Sequence, residues 1–260
     1  MKASTVAALE RINRDFYTRR AAEFSDTRKQ PWPGWQRVLA IAREHIDTRR
    51  ISILDLGCGN GRFRAELASA FGSAGADIVY LGIDASLPLL ALARSGASPE
   101  CPFETRLIAG DLVRRPLDEL GTSARFDLIL NFGVMHHVPS RAARGRLLAA
   151  SARLLRPGGL LAVSFWQFGD RMRFRRRALP WRERPELGVD EADLEAGDHL
   201  LSWGDAGELR YCHYADPQEA GELVSALGLE PLESFSDDGR TRDLNLYHLL
   251  RQGTQHVMSE

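Results

Sequence analysis

Three alternate glycines close the segment Ile53-Leu-Asp-Leu-Gly-Cys-Gly-Asn-Gly61, just after an acid, Asp55, that ends a short apolar run. Glycine at such a place lets the backbone turn sharply and a ligand approach it closely. A helix starting near Asn60 adds unpaired N–H groups at its first turn. Two more acids follow apolar runs in the same way, Asp84 after Leu81-Gly-Ile and Asp111 after Ile108-Ala-Gly. A dinucleotide loop, G-x-G-x-x-G, would need glycine where this chain has Arg62. No Gly-Lys-Ser/Thr follows, which excludes a phosphate loop of the ATPase kind. An acid at the strand end suits a ligand with an ammonium or polar tail better than a pyrophosphate. A carboxylate at the second strand end can accept both ribose hydroxyls, and one at the third can meet an exocyclic amine.

The elements that must position these residues alternate. Apolar runs at 51–55, 78–84, 103–109, 126–131 and 160–165 read as strands, with helix-length segments between them, most clearly 140–155. Parallel strands joined by right-handed crossovers follow, hence an α/β doubly wound sheet, with ligands at the carboxyl ends of its strands. In front, residues 4–24 read as a helix capped by Ser4 or Thr5, with Val6, Leu9, Ile12 and Phe16 on one face. After Pro31-Trp-Pro-Gly34 a second helix carries Trp35, Val38, Leu39, Ala42 and Ile46. Residues 167–209 lack clear alternation and read as an insertion. A helix at 217–227 then leads to strands at 229–236 and 244–251, joined by the hairpin chemistry of Asp237-Asp-Gly239. The organisation expected is a helical cap (1–50), a cofactor-binding core (51–166), an insertion lining the substrate site (167–214), and a helix and hairpin completing the sheet (215–260).

With the glycine loop, the acids and Arg156-Pro-Gly-Gly159, residues 51–165 resemble the class I S-adenosylmethionine-dependent methyltransferases. The resemblance implies a seven-stranded, mostly parallel sheet and S-adenosylmethionine as cofactor. It implies that Asp55, Gly57, Gly59, Asp84 and Asp111 hold that cofactor and that Asn131 closes its methionine side. The interval from Asp55 to Asp84 is long for the family, consistent with an extra turn at Gly72–Ala76.

Two features bear on the methyl acceptor. His136 and His137 follow the fourth strand, at the rim where an acceptor meets the methyl group, and either can serve as base or hydrogen-bond donor. Arg28 stands between the front helices, and a guanidinium can clamp a carboxylate with two parallel hydrogen bonds. Its surroundings, Phe24-Ser-x-Thr-Arg-x-x-Pro-Trp-Pro33, resemble the tRNA wobble-uridine methyltransferases that esterify 5-carboxymethyluridine. So do Val134-Met-His-His137, Asp198-His-Leu-Leu-Ser-Trp203 and Arg210-Tyr-Cys-His213. The resemblance implies that Arg28, His136, Trp203, Arg210 and His213 line the wobble-base pocket. It also implies tRNA as a partner and a small zinc-binding activator protein as a possible second one. The chain departs from the family at Ser202, where proline is usual, and at Cys212, where tyrosine is usual. Those departures leave room for a small-molecule O- or N-methyltransferase on the same scaffold, or for a non-catalytic cofactor-binding subunit.

Composition sets outer bounds. The 260 residues carry a net charge of -1, so no global basic field draws the chain to nucleic acid. Of its 34 basic residues only Lys2 and Lys29 are lysines, so arginine clusters carry less information than usual. Even so, the run at 171–184 can track phosphates, and its neighbours Phe174 and Trp181 can stack on bases. The acidic block at 185–209 is the competing partner for that run. Three scattered cysteines, Cys58, Cys101 and Cys212, give neither a disulfide framework nor a structural metal site, and the two histidines have no third ligand at suitable spacing. No run is apolar for the roughly 20 residues that cross a bilayer, and the N-terminus breaks into charges too early for a signal peptide. The expectation is a soluble cytoplasmic protein with no membrane contact.

Overall fold

The computed structural model describes all residues except 29, 73–74, 97–102, 116, 118–123, 170, 206 and 255–260. Cys101 and part of the turn expected at 72–76 lie outside the described residues. Seven strands form the main sheet: β1 (Arg50–Leu56), β2 (Asp77–Asp84), β3 (Glu104–Ala109), β4 (Phe126–Asn131), β5 (Leu155–Trp166), β9 (Glu230–Asp237) and β10 (Asn245–Arg251). Their order is β3-β2-β1-β4-β5-β10-β9. The first five are parallel, and β10 runs antiparallel to both β5 and β9. The order reverses between β1 and β4, which opens a crevice at their carboxyl ends.

Helices cover both faces, so the central strands bury both sets of alternating side chains. Ile51 and Ile53 of β1 pack with Trp35, Val38 and Leu39 of α2 (Pro33–His45) and with Phe63 and Leu67 of α3 (Phe63–Phe71). Leu54 and Leu56 face the other way, toward Leu147 and Leu148 of α5 (Arg141–Arg153) and Leu223 of α7 (Pro217–Ser225). Pro33 opens α2 and Pro217 opens α7, first-turn positions where proline's missing N–H costs nothing. α4 (Leu87–Ser95) is capped by Ser86, whose hydroxyl accepts from the Leu89 N–H at 3.3 Å.

The front helix α1 (Ala3–Asp26) is longer than expected, bends at Arg20 and starts without a side-chain cap. Thr5 lies inside it, buried. The insertion is not irregular. After a short helix α6 (Met172–Arg175), strands β6 (Ala178–Leu179), β7 (Asp198–Trp203) and β8 (Glu208–His213) form a separate antiparallel sheet. Leu9 and Ile12 of α1 pack on Leu200 and Tyr211 of that sheet, so the front of the chain and the insertion share one core. The link between β9 and β10 is a loop rather than a tight turn. Asp238 is turned inward, accepting from the Gly34 N–H at 2.9 Å and from the Asn245 amide at 2.7 Å, and is 1% exposed. No helix among the described residues is long and apolar enough to cross a membrane.

Candidate active site

The carboxyl ends of the central strands, α1, and the insertion enclose a cavity of about 850 Å³. That is at the upper end of the roughly 300–1,000 Å³ usual for small-molecule sites. Its floor is the glycine loop. Gly57 has φ +74°, and a Cβ there would lie 2.0 Å from Val134 Cγ2, so the turn and the close approach both require glycine. The Gly57 and Cys58 N–H groups donate to the Ile83 carbonyl at 2.7 and 3.1 Å. The helix expected near Asn60 begins three residues later, at Phe63.

Asp55, Asp84 and Asp111 all line this cavity. Asp55 is buried and accepts from the Tyr80 hydroxyl at 2.6 Å. Burial pushes its pKa up to about 6, against the pull of that hydrogen bond. Asp84 accepts from the N–H groups of Gly59 and Ser86, both at 2.8 Å, which fixes its carboxylate beside the loop. Burial raises its pKa too, opposed by those same two hydrogen bonds. Asp111 uses one oxygen on the Val113 N–H at 3.0 Å and the Arg114 N–H at 3.2 Å. Asn131 ends β4 behind the cavity rather than in its wall; it is 0% exposed, and its amide has no partner among the described residues.

The opposite wall is aromatic and cationic. Trp203 packs edge-on against Phe16, with centroids 5.3 Å apart, and Tyr17 stands edge-on to both Phe16 and Phe24. The Arg28 guanidinium lies 4.8 Å from the Phe24 ring centre, and the Arg210 guanidinium 5.1 Å from that of Phe16. Both line the cavity, and neither forms an ion pair with a carboxylate among the described residues. Burial, then the charge of Arg210, holds the Arg28 pKa below the ordinary arginine value. Arg210 is 5% exposed, and its Nε is without a partner among the described residues.

The two histidines part company. His137 has both ring nitrogens engaged: Nε2 with the Tyr17 hydroxyl at 2.8 Å, Nδ1 with the Tyr211 carbonyl and the Asn13 amide, each at 3.1 Å. A tautomer that donates from Nδ1 to Tyr211 and accepts Tyr17 at Nε2 satisfies the ring, which makes His137 the pin between α1, β8 and the cavity. Burial, then Arg210, pushes its pKa down to about 3. His136 also lines the cavity, and its Nδ1 has no partner among the described residues. Burial and the charge of its neighbours hold it neutral as well.

The structure does not bring His213 to the cavity. It ends β8 with its ring turned away from the cavity lining, donating from Nδ1 to Asp198 at 2.7 Å and from Nε2 to Glu219 at 2.9 Å, beside Arg144. The fold also supplies what sequence spacing could not: the Cys212 sulfur comes within 4.8 Å of ring nitrogens of His136 and His137, and Glu195, Asp198 and His213 form a second such group. Hydrogen bonds occupy His137 in the first and His213 in the second.

Among the described residues the acidic block pairs with the arginine run only at Arg184–Glu186, 2.6 Å. Three of its other acids pair elsewhere: Asp190 with Lys2, Glu195 with Arg144, and Glu208 with Arg19 and Arg20. Arg173, Phe174 and Arg177 therefore edge the cavity mouth without that block as counter-charge. Trp181 does not join them, since its indole donates to the Asp198 carbonyl at 3.3 Å and its ring packs into the core shared with α1. Tyr17, Trp32 and Arg62 are cavity residues that sequence reasoning missed. Arg62 left a signal as the residue directly behind the glycine loop, and Trp32 as part of the Pro31-Trp-Pro33 motif; Tyr17 left none.

Residues 53–159 match the family described as a methyltransferase domain. The chain carries a class I S-adenosylmethionine-dependent methyltransferase domain. The same fold occurs in an S-adenosylmethionine-dependent methyltransferase of Methanosarcina mazei, with TM-score 0.59, 22% identity, and 83% of this chain and 98% of that one covered. A putative methyltransferase of Encephalitozoon cuniculi is 27% identical over 88% of this chain and 92% of its own length. The tRNA (carboxymethyluridine(34)-5-O)-methyltransferase of Saccharomyces cerevisiae is 28% identical over 58% of this chain and 46% of its own, so the chain matches less than half of that relative. A trans-aconitate 2-methyltransferase of Deinococcus radiodurans is 38% identical over 43% of this chain and 36% of its own.

The cavity fits S-adenosylmethionine on its own terms. Three strand-end acids and a loop that excludes a Cβ gather where an adenosyl amino acid offers hydroxyl, amine and ammonium donors.

Proposed function

We propose that this methyltransferase esterifies a carboxylate on an anionic acceptor, the carboxymethyl group of a tRNA wobble uridine. On this reading Asp55, Gly57, Gly59, Asp84 and Asp111 hold the cofactor. The cofactor supplies a methyl group on a positively charged sulfur, already activated for displacement.

The observation that carries the reading is the acceptor wall, where Arg28 and Arg210 stand over aromatic rings with no carboxylate of the protein to neutralise them. A buried cation left uncompensated is costly, and an acceptor carboxylate removes that cost. An acceptor carboxylate would take that methyl group as an ester, with the sulfur leaving as a neutral thioether. No proton leaves the acceptor, so no general base is needed. That agrees with His136 and His137 both being held neutral without a carboxylate to work through. The chain's residues therefore act by orientation, which can supply much of the barrier reduction. Arg28 clamps the carboxylate, Arg210 sets its approach, and Trp203 offers a face for the base. His136 lines the cavity beside the acceptor, while His137 positions Tyr17. Arg173, Phe174 and Arg177 at the mouth suit an entering polyanion.

The test is incubation with methyl-labelled S-adenosylmethionine and bulk tRNA containing the carboxymethyl precursor, with and without a small zinc-binding activator, followed by mild alkali. Label that enters tRNA and leaves as volatile methanol supports the reading. Alkali-stable label in RNA removes the carboxylate role of Arg28. Label that reaches only a small carboxylic acid, trans-aconitate among those supplied, moves the acceptor to a metabolite.

A further inference from the structure

Arg62 is a cation of the cavity that the scheme above does not use. Arg62 follows the glycine loop directly and lines the cavity together with Asp55. Its guanidinium sits over two indole rings, 4.8 Å from the centre of Trp32 and 4.4 Å from that of Trp35. Nη1 donates to the carbonyls of Gln30 at 3.0 Å and Arg28 at 3.3 Å, and no carboxylate pairs with it among the described residues. Burial, then the charge of Arg28, pushes its pKa down to about 10. Aromatic faces hold the cation in place; Asp238 and Asp55 act on it only at a distance, and none of the described carboxylates forms an ion pair with it.

Asp55 and Arg62 stand at the two ends of the same loop, each close enough to feel the other's charge but not joined in an ion pair. The loop is thus bracketed by one anion and one cation facing a common space. The methionine end of S-adenosylmethionine carries an ammonium and a carboxylate on a single carbon, the charge pair that such a bracket matches. We propose that Arg62 binds the α-carboxylate of the cofactor while Asp55 faces its ammonium. This rests on the cofactor reading, not on the identity of the acceptor. It also divides the cations of the cavity: Arg62 belongs to the donor, and Arg28 with Arg210 to the acceptor.

Calorimetric titration of the full chain, with no acceptor present, tests the assignment. Arg62→Met keeps an apolar stem over the two indoles and removes the charge. It should weaken binding of S-adenosylmethionine and S-adenosylhomocysteine by about tenfold or more, the loss expected for a charge-assisted hydrogen bond. Decarboxylated S-adenosylmethionine, which retains the ammonium and lacks only the carboxylate, should bind wild type and variant within about twofold. Arg62→Lys should recover part of the affinity for the carboxylate-bearing ligands only. An equal loss for all three ligands would mean that Arg62 merely braces the 28–30 segment, and the proposal falls. Unchanged affinity for S-adenosylmethionine in Arg62→Met would also overturn it. Since no acceptor enters the measurement, these results stand apart from those that decide the esterification reading.

Discussion

Arg144 is 0% exposed, yet it carries a full charge between two carboxylates: it donates to Glu195 at 2.6 Å, to Glu219 at 2.7 Å, and to the Val138 carbonyl at 3.0 Å. Glu219 continues the network to His213, which is bonded on its other side to Asp198. This cluster fastens the insertion to α5 and α7, so Arg144→Met, which preserves an apolar stem and deletes the charge, should loosen that junction. Removing one partner of a buried pair costs about 3–5 kcal/mol. The side chains of Glu195 and Glu219 are 30% and 16% exposed, so the low end, ~3 kcal/mol, is expected here. At roughly 2–4 °C per kcal/mol for a chain of this size, the melting temperature should fall by about 6–12 °C at pH 7.

The loss should also depend on pH. Burial pushes the Glu219 pKa up, but the hydrogen bond and charge of His213 and the charge of Arg144 outweigh it and hold it at about 2. A carboxyl held low in the folded state contributes stability above its ordinary value of 4.5 and loses it as pH falls toward 2. The gap between wild type and Arg144→Met should therefore narrow as the melt is repeated from pH 7 down through that range. His213 works in the opposite direction. Burial opposes its charge, but the hydrogen bonds to Asp198 and Glu219 win and raise its pKa above 6.5. Its contribution is complete below 6.5 and is lost as pH rises through the raised value. Adding Glu219→Gln to Arg144→Met should cost less than the sum of the two single changes, because each single change strands the charge of the other residue and the double change removes both. A loss below about 1 kcal/mol at pH 7, or one that does not change with pH, would refute the argument that this cluster ties the insertion down.

Arg28→Ala should cut methyl transfer on the order of a hundredfold while calorimetry shows cofactor affinity near wild type; equal loss of both would make Arg28 structural. Gly57→Ala must place a Cβ 2.0 Å from Val134 Cγ2 at φ +74°, whereas Gly75, at φ +72°, has nothing within 4 Å. Both should lose the ~1 kcal/mol or so of left-handed strain, but only Gly57→Ala should lose further melting temperature and cofactor affinity. Cofactor affinity should rise with pH through about 6, where Asp55 ionises, and titrations of Asp55→Asn should show no such rise. Rates at saturating substrate should show no titration of His136 or His137 between pH 5.5 and 8, since both are pushed below that window.

The parallel core was legible because β1, β2 and β4 are largely buried on both faces and so read as apolar runs, interrupted in β1 by Ser52 and in β4 by Asp127, and β1 and β2 carry, at or beside their ends, acids that mark the crevice. The insertion hid its sheet for the opposite reason. β8 buries Arg210, Tyr211, Cys212 and His213 in succession, with neither alternation nor an apolar run to announce a strand. His213 matched a motif, but its position depends on Asp198 and Glu219, which reach it only when three elements close together. Tyr17 follows the inward-facing Phe16 by one residue, and helical periodicity alone points it away from Phe16's face; the insertion makes both rings interior. Asp238 read as a turn acid because its sequence is turn-like, and only the approach of Gly34 and Asn245 explains why it points inward.

The aromatic and cationic wall of the cavity, which the proposed reading gives to the acceptor, is assembled from two stretches of chain far apart in sequence. Asn13 of α1 accepts from the Tyr211 N–H of β8 at 2.9 Å, and His137 reaches both Tyr17 and the Tyr211 carbonyl. Lys2, Arg11, Arg19 and Arg20 all engage the insertion, three of them through its acids. Selectivity is therefore not modular in this enzyme. Grafting the insertion alone onto a related scaffold would strand its acids without their basic counterparts and leave half of the wall behind. Removing α1 would open the acceptor side while sparing the strands beneath the donor. Exchange of substrate preference between relatives would require the first 26 residues and the 167–214 segment to travel as a pair, and mutations in one should be rescued by compensating changes in the other.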